Sequence, residues 1–95
     1  MLITFSLFSF ILSGTTGKLT GKIIDENTGE PLIGCNIILD GTYLGGSSDN
    51  QGEYTILNIS PDTYIIRFEM SGYQPGINED VKIFADKTTT LNGMM

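Results

Sequence analysis

Apolar and polar residues alternate with a period of two in several short runs of this chain, and glycine, proline or an Asx residue closes each run. Over residues 63–70, Tyr64, Ile66, Phe68 and Met70 share one parity while Ile65, Arg67 and Glu69 take the other. Successive side chains of a strand point to opposite faces, so this spacing predicts a strand with one buried and one solvated side. Cys35, Ile37 and Leu39 make a second inward row, with Asn36, Ile38 and Asp40 outward. Leu19, Gly21 and Ile23 make a third, against Thr20, Lys22 and Ile24. Further strands are expected from Tyr54 to near Ile59, around Val81 and Ile83, over residues 88–94, and as a short glycine-rich arm over 43–48.

The connections carry their own chemistry. Glu26-Asn27-Thr28-Gly29-Glu30-Pro31 must turn, because Pro31 cannot pair through its nitrogen. Asp40-Gly41-Thr42 is a hairpin signal, and Asp49-Asn50-Gln51-Gly52 is a turn capped by a side chain, with Gly52 at a position suited to positive φ. Ser60-Pro61-Asp62, the segment 71–76 and Ala85-Asp86-Lys87 complete the series. About seven strands result, and no polar segment sustains a 3.6-residue period; an all-β fold is expected.

Length and charge sharpen this picture. A chain of 95 residues makes one small domain, which buries only about 60–65% of the surface of its unfolded chain. Residues 1–17 contain no charge, whereas every Lys, Arg, Asp and Glu lies from Lys18 onward. The apolar run from Leu2 to Leu12, followed by the small residues Ser13, Gly14, Thr15 and Thr16, has the form of an export signal and is too short to span a bilayer as a helix. The expected organisation is therefore a signal-like leader over 1–17 and a β-domain over 18–95. The competing reading makes the apolar run another strand of the domain.

The composition excludes several chemistries. With no His and a single Cys, the chain has no Ser-His-Asp triad, no Cys-His pair, no internal disulfide and no ordinary zinc set. No cofactor or metal site is expected. A net charge of −6 with scattered Lys and Arg argues against nucleic acid and against an anionic membrane surface. Leu32-Ile33-Gly34-Cys35 is similar to a lipoprotein cleavage box, but it follows the charged turn 25–31 rather than an apolar leader, so Cys35 reads as a small core residue. Asp49 with Glu53 and Glu79 with Asp80 are the available carboxylate pairs. Asp49, Asn50 and Glu53 lack the alternating oxygens of a calcium loop.

Taken in order, Gly21-x-Ile23-x-Asp25, Thr28-Gly29-Glu30-Pro31-Leu32-x-Gly34, Asn36-Ile37, Gly41-Thr42, Ser48-Asp49-x-x-Gly52-x-Tyr54, Tyr64 and Gly72-Tyr73 resemble the carboxypeptidase regulatory-like domain. The resemblance runs from about Lys18 to Leu91. It implies a transthyretin-like (prealbumin-like) Greek-key β-sandwich of about seven strands, with Cys35 standing where that family usually has Ala. It also implies a setting, since such domains occur beside zinc carboxypeptidases and, after a signal peptide, at the N-terminus of TonB-dependent outer-membrane receptors that import glycans.

Three functions are weighed on this basis. The leading expectation is a non-enzymatic accessory domain, exported to the periplasm or the outer membrane, that contacts a protein partner or a neighbouring receptor domain. Its contact surface is expected at the sheet edge around Tyr43, Leu44 and Ser47 and on the outward row Ile65, Arg67 and Glu69, because an unpaired edge accepts a strand. The alternative is a stand-alone carbohydrate- or peptide-binding module using exposed Tyr43 and Tyr73, or a truncated receptor fragment. An enzyme built on acidic pairs is the third. Membrane contact is expected only through the leader or a partner.

Overall fold

The computed structural model describes residues 15–95. The expectation for the leader falls mainly on residues 1–14, outside that range. Among the described residues the strands are β1 (Gly17–Ile24), β2 (Asn36–Leu39), β3 (Gly45–Ser47), β4 (Glu53–Ile59), β5 (Asp62–Glu69), β6 (Gly76–Ile83), β7 (Thr88–Thr90) and β8 (Gly93–Met94). One sheet runs β4-β1-β7, with β8 also on β1, and the other runs β3-β2-β5-β6. The chain leaves β3 for β4 in the opposite sheet and returns at β5 beside β2, which gives the expected Greek-key sandwich.

The inward rows of the two sheets meet as the alternation requires. Leu19, Ile23, Tyr54, Ile56 and Ile59 from the first sheet face Cys35, Ile37, Leu39, Ile66, Phe68, Val81 and Ile83 from the second, and all are buried. Full burial of such a side chain is worth roughly 1.5–3 kcal/mol. The Phe68 and Tyr54 rings sit edge to face with centroids 6.1 Å apart. Tyr64 and Met70 lie half-buried at the margins, so the inner row of β5 is centred on Ile66 and Phe68. The Tyr64 hydroxyl instead donates to the Ser60 carbonyl at 2.6 Å, tying the β4–β5 corner together as a tyrosine corner does in other sandwiches.

Two β-bulges explain where the period of two fails. In β4, Asn58 adopts φ 61, and pairing shifts between Leu19↔Ile56 and Gly17↔Ile59. In β6, Asp80 adopts φ 59, and pairing shifts between Tyr64↔Val81 and Ile66↔Asn78. Each bulge inserts one extra residue and resets the parity, which returns Ile59 and Val81 to the core. The sequence reading began β6 near Val81 because the preceding residues are polar except for Ile77, which points outward.

Residues 88–94, expected as one strand, form two. β7 and β8 both lie parallel to β1, with Lys18↔Thr88 and Ile23↔Gly93 keeping a common register across the break. At the break the Leu91 N–H donates to the Thr20 carbonyl at 2.8 Å. The Leu91 carbonyl leaves the ladder and accepts the Tyr54 hydroxyl at 2.7 Å. The Lys22 N–H donates to the side-chain oxygen of Asn92 at 2.9 Å. Gly21 makes room for this arrangement, since a Cβ there would collide with the Leu91 carbonyl and the Tyr54 ring.

Candidate interaction surface

Most residues of the family-like pattern serve turns and joints. Asp25 Oδ1 accepts the N–H groups of Asn27 and Thr28 at 2.8 and 3.0 Å, and its Oδ2 accepts the Tyr73 hydroxyl at 2.7 Å. The hydroxyl of Tyr73, with those two amides, holds the Asp25 carboxyl below its usual range; the same bond raises the Tyr73 phenol. Ser48, buried, donates to the Leu32 carbonyl at 2.6 Å and accepts the Cys35 N–H at 2.9 Å. Cys35 is fully buried, and desolvation raises its thiol pKa. Desolvation first, then the nearby Cys35, raises the Tyr54 phenol. Asp49 Oδ1 accepts the N–H groups of Gln51 and Glu53, each at 2.9 Å, and Gly52 takes φ 77, which makes the expected side-chain-capped turn. Among the described residues no three His, Cys, Asp or Glu side chains are placed to share a metal ion.

The outer face of the β3-β2-β5-β6 sheet is different in kind. Arg67 lies at its middle, opposite Ile38 on one side and Ile77 on the other. Its guanidinium spans two carboxylates, with Nη2 at 3.1 Å from Glu69 and Nε at 3.7 Å from Asp40. Ile65 is 39% and Ile77 59% exposed, and Ile38 is half-buried. Glu79 shares the parity of Ile77, and Asp80 follows it in the bulge opposite Ile65. Lys82 stands at the far end, paired with Thr63. The result is an apolar strip around a pinned, planar cation, bordered mainly by carboxylates.

The structure brings Ile65, Arg67 and Glu69 onto this face, and places Ser47 on the β3 edge of the same sheet, opposite Asn36. Gly45 is required at that edge because a Cβ would lie 2.6 Å from the Ile37 carbonyl oxygen. Tyr43 is fully exposed at the hairpin tip, where Thr42 Oγ1 both donates to the Leu39 carbonyl at 2.9 Å and accepts the Leu44 N–H at 3.0 Å. Leu44 turns its side chain toward the core. Tyr73 sits away at the β5–β6 connection, half-buried and committed to Asp25. Ile38 and Ile77 were missing from the expected surface; Ile38 was legible as outward-facing, whereas Ile77 fell in residues 77–80, between the connection 71–76 and the strand expected around Val81, where no element was expected.

The opposite outer face holds Thr20, Lys22, Glu53, Thr55, Thr90 and Asn92 around a shallow concavity of about 570 Å³. Its concavity is lined by hydroxyls and charges, while Leu57 on β4 and Met94 on β8 stand exposed singly, away from it and from each other. The Thr20 hydroxyl already donates to the Tyr54 carbonyl at 2.9 Å.

The family model of the CarboxypepD_reg-like domain matches residues 19–95. The chain belongs to this family. A relative of this CarboxypepD_reg-like domain is the TonB-dependent receptor SusC of Bacteroides thetaiotaomicron, 36% identical over 53 residues, which are 56% of this chain and 5% of the receptor. The domain thus spans a small fraction of that relative. Among solved structures, a type II cohesin–X–dockerin complex from Acetivibrio cellulolyticus aligns with TM-score 0.69 at 16% identity, over 81% of this chain and 52% of that one. A candidate carbohydrate-binding protein from Bacteroides uniformis aligns with TM-score 0.64 at 24% identity, over 85% of this chain and 41% of that one. At these identities the structural likenesses establish the sandwich fold and nothing finer.

Proposed function

We propose that this chain is a non-enzymatic accessory domain of the bacterial cell envelope, exported to the periplasm or the outer membrane, which docks on a protein partner or a neighbouring receptor domain. The observation that carries the proposal is the outer face of the β3-β2-β5-β6 sheet, where exposed Ile65 and Ile77 flank a guanidinium held between two carboxylates. Interface centres favour an apolar patch with an ordered Arg over a uniformly polar surface. The relation to SusC supports the envelope setting, and the apolar run Leu2 to Leu12 followed by Ser13, Gly14, Thr15 and Thr16 supports export. The test is to express the full chain with a C-terminal tag, fractionate the cells, and compare envelope proteins retained by wild type and by Ile65→Asp. A periplasmic or membrane-associated product with a retained protein lost in the variant is expected; a cytoplasmic product, or identical retention, would defeat the proposal.

A second reading, a stand-alone carbohydrate- or peptide-binding module, is favoured by one observation: the hairpin holds Tyr43 fully exposed, as a stacking platform for a sugar ring would need. Titration calorimetry against a panel of plant and host glycans decides it. Saturable binding lost in Tyr43→Ala is expected on this reading, and heats indistinguishable from buffer dilution would remove it.

A further inference from the structure

The chemistry of the partner follows from the border of the docking face, and this step rests on the docking reading above. We infer that the partner presents a small apolar patch ringed by Lys and Arg, and that the occupant is not a second copy of this chain. The apolar strip of Ile38, Ile65 and Ile77 needs an apolar counterpart, since association removes its area from water. Around that strip stand Asp40, Glu69, Glu79 and Asp80, against one Arg at the centre and Lys82 at one end. Arg67 is already spanned by Asp40 and Glu69, so it has little free charge to offer an acidic partner. A symmetric pair of copies would bring one carboxylate border against another, with −6 on each chain, and such like-charge contacts oppose docking. A basic border instead matches every carboxylate of the rim.

Neighbouring parts of the sandwich do not compete for this role. The free side of β6 carries the Asp80 bulge and β4 carries the Asn58 bulge, and bulges twist an edge out of register for strand addition. The edge strand β3 is three residues long, so an added strand finds few amide groups there. Face-on docking spans three paired strands, β2, β5 and β6.

The experiment places the photoreactive residue p-benzoylphenylalanine at Ile77, and separately at Thr55 on the opposite sheet, in the full chain expressed in its native host. Irradiated adducts are mapped by mass spectrometry at the level of the joined peptides. A heterologous adduct at position 77, absent at 55, on a peptide flanked by Lys or Arg is expected. Its yield should drop at least roughly fivefold in Glu79→Lys or on raising the salt from 0.05 to 0.5 M, as rim charges act through screened attraction. Adducts between two copies, or a partner peptide with an acidic border and no salt response, would overturn the inference while leaving docking intact. Adducts at 55 alone would move docking to the other face and overturn it as well. No adduct at either position from a folded, exported chain would overturn the docking reading itself.

Discussion

The two sheets of this sandwich use their polar residues in opposite ways. In the β4-β1-β7/β8 sheet, polar groups act inward and along the strands: Tyr54 reaches under Gly21 to the Leu91 carbonyl, and Asn92 replaces a backbone acceptor for Lys22. The concavity on its outer face is lined by threonines and charges, with Leu57 and Met94 exposed only as single, separated apolar side chains. In the β3-β2-β5-β6 sheet the ladders from β2 to β5 are regular, and the outer face carries isoleucines and a clamped arginine. The first arrangement fixes where the C-terminal strands lie, and the second leaves apolar surface in water. A contiguous exposed apolar patch is informative where singly scattered apolar side chains are not. Stability is therefore concentrated at the joints of the first sheet, and the proposed docking lies on the face of the second.

Substitutions sharpen that division, beginning with the largest effect. Gly21→Ala should lower stability by about 3 kcal/mol or more, because the added methyl must displace both the Leu91 carbonyl and the Tyr54 ring. Urea unfolding reads this as a lower midpoint at unchanged slope. A loss under about 1 kcal/mol would mean that the β7–β8 break is not held at Gly21. Tyr54→Phe keeps the ring and removes the hydroxyl, leaving the Leu91 carbonyl without its donor, at about 1–3 kcal/mol. Ile77→Thr, on the other sheet, should stay within about 0.5 kcal/mol of wild type in the same assay. It should nevertheless weaken partner binding by roughly tenfold, as loss of a central apolar anchor does. If Ile77→Thr unfolded the domain while binding in surviving protein was unchanged, the division between the sheets would collapse.

The smallest effect is expected at Tyr73, whose bond to Asp25 is close to solvent. The folded Asp25 carboxyl lies below its ordinary 3.8, so its contribution is present above that pH and is lost as pH falls through the folded value. The Tyr73 phenol lies above its ordinary 10.0, so its contribution is complete below that pH and is lost as pH rises through the folded value. Tyr73→Phe should therefore melt slightly lower than wild type from about pH 5 to pH 9, and the two melting curves should converge at both extremes. A difference that grew toward low pH would contradict the hydrogen bond.

Much of the domain was legible because a sandwich states itself through parity. Cys35, Ile37 and Leu39 alternate without interruption, and all three are buried. The turn at Asp49 was legible for the same kind of reason, since a side chain bonding amides two and four residues on is local chemistry. The proposed docking face was legible in half: Ile65, Arg67 and Glu69 lie on one strand and show their parity. Ile77 belongs to a different strand whose start was masked by polar residues and whose register a bulge resets, so its place beside Arg67 could not be read along the chain.

By itself the sequence determined the strand class, the inward rows, most turns and the absence of His-dependent and disulfide chemistry, because each of these depends on residue type and short spacing. Only the tertiary structure decided that 88–94 runs parallel to β1 and breaks at Leu91, that Asp25 meets Tyr73, and that Ile38, Arg67 and Ile77 stand side by side. Those facts join residues tens of positions apart through sheet register, and register is set by how two whole sheets pack, a quantity that no local run of residues contains.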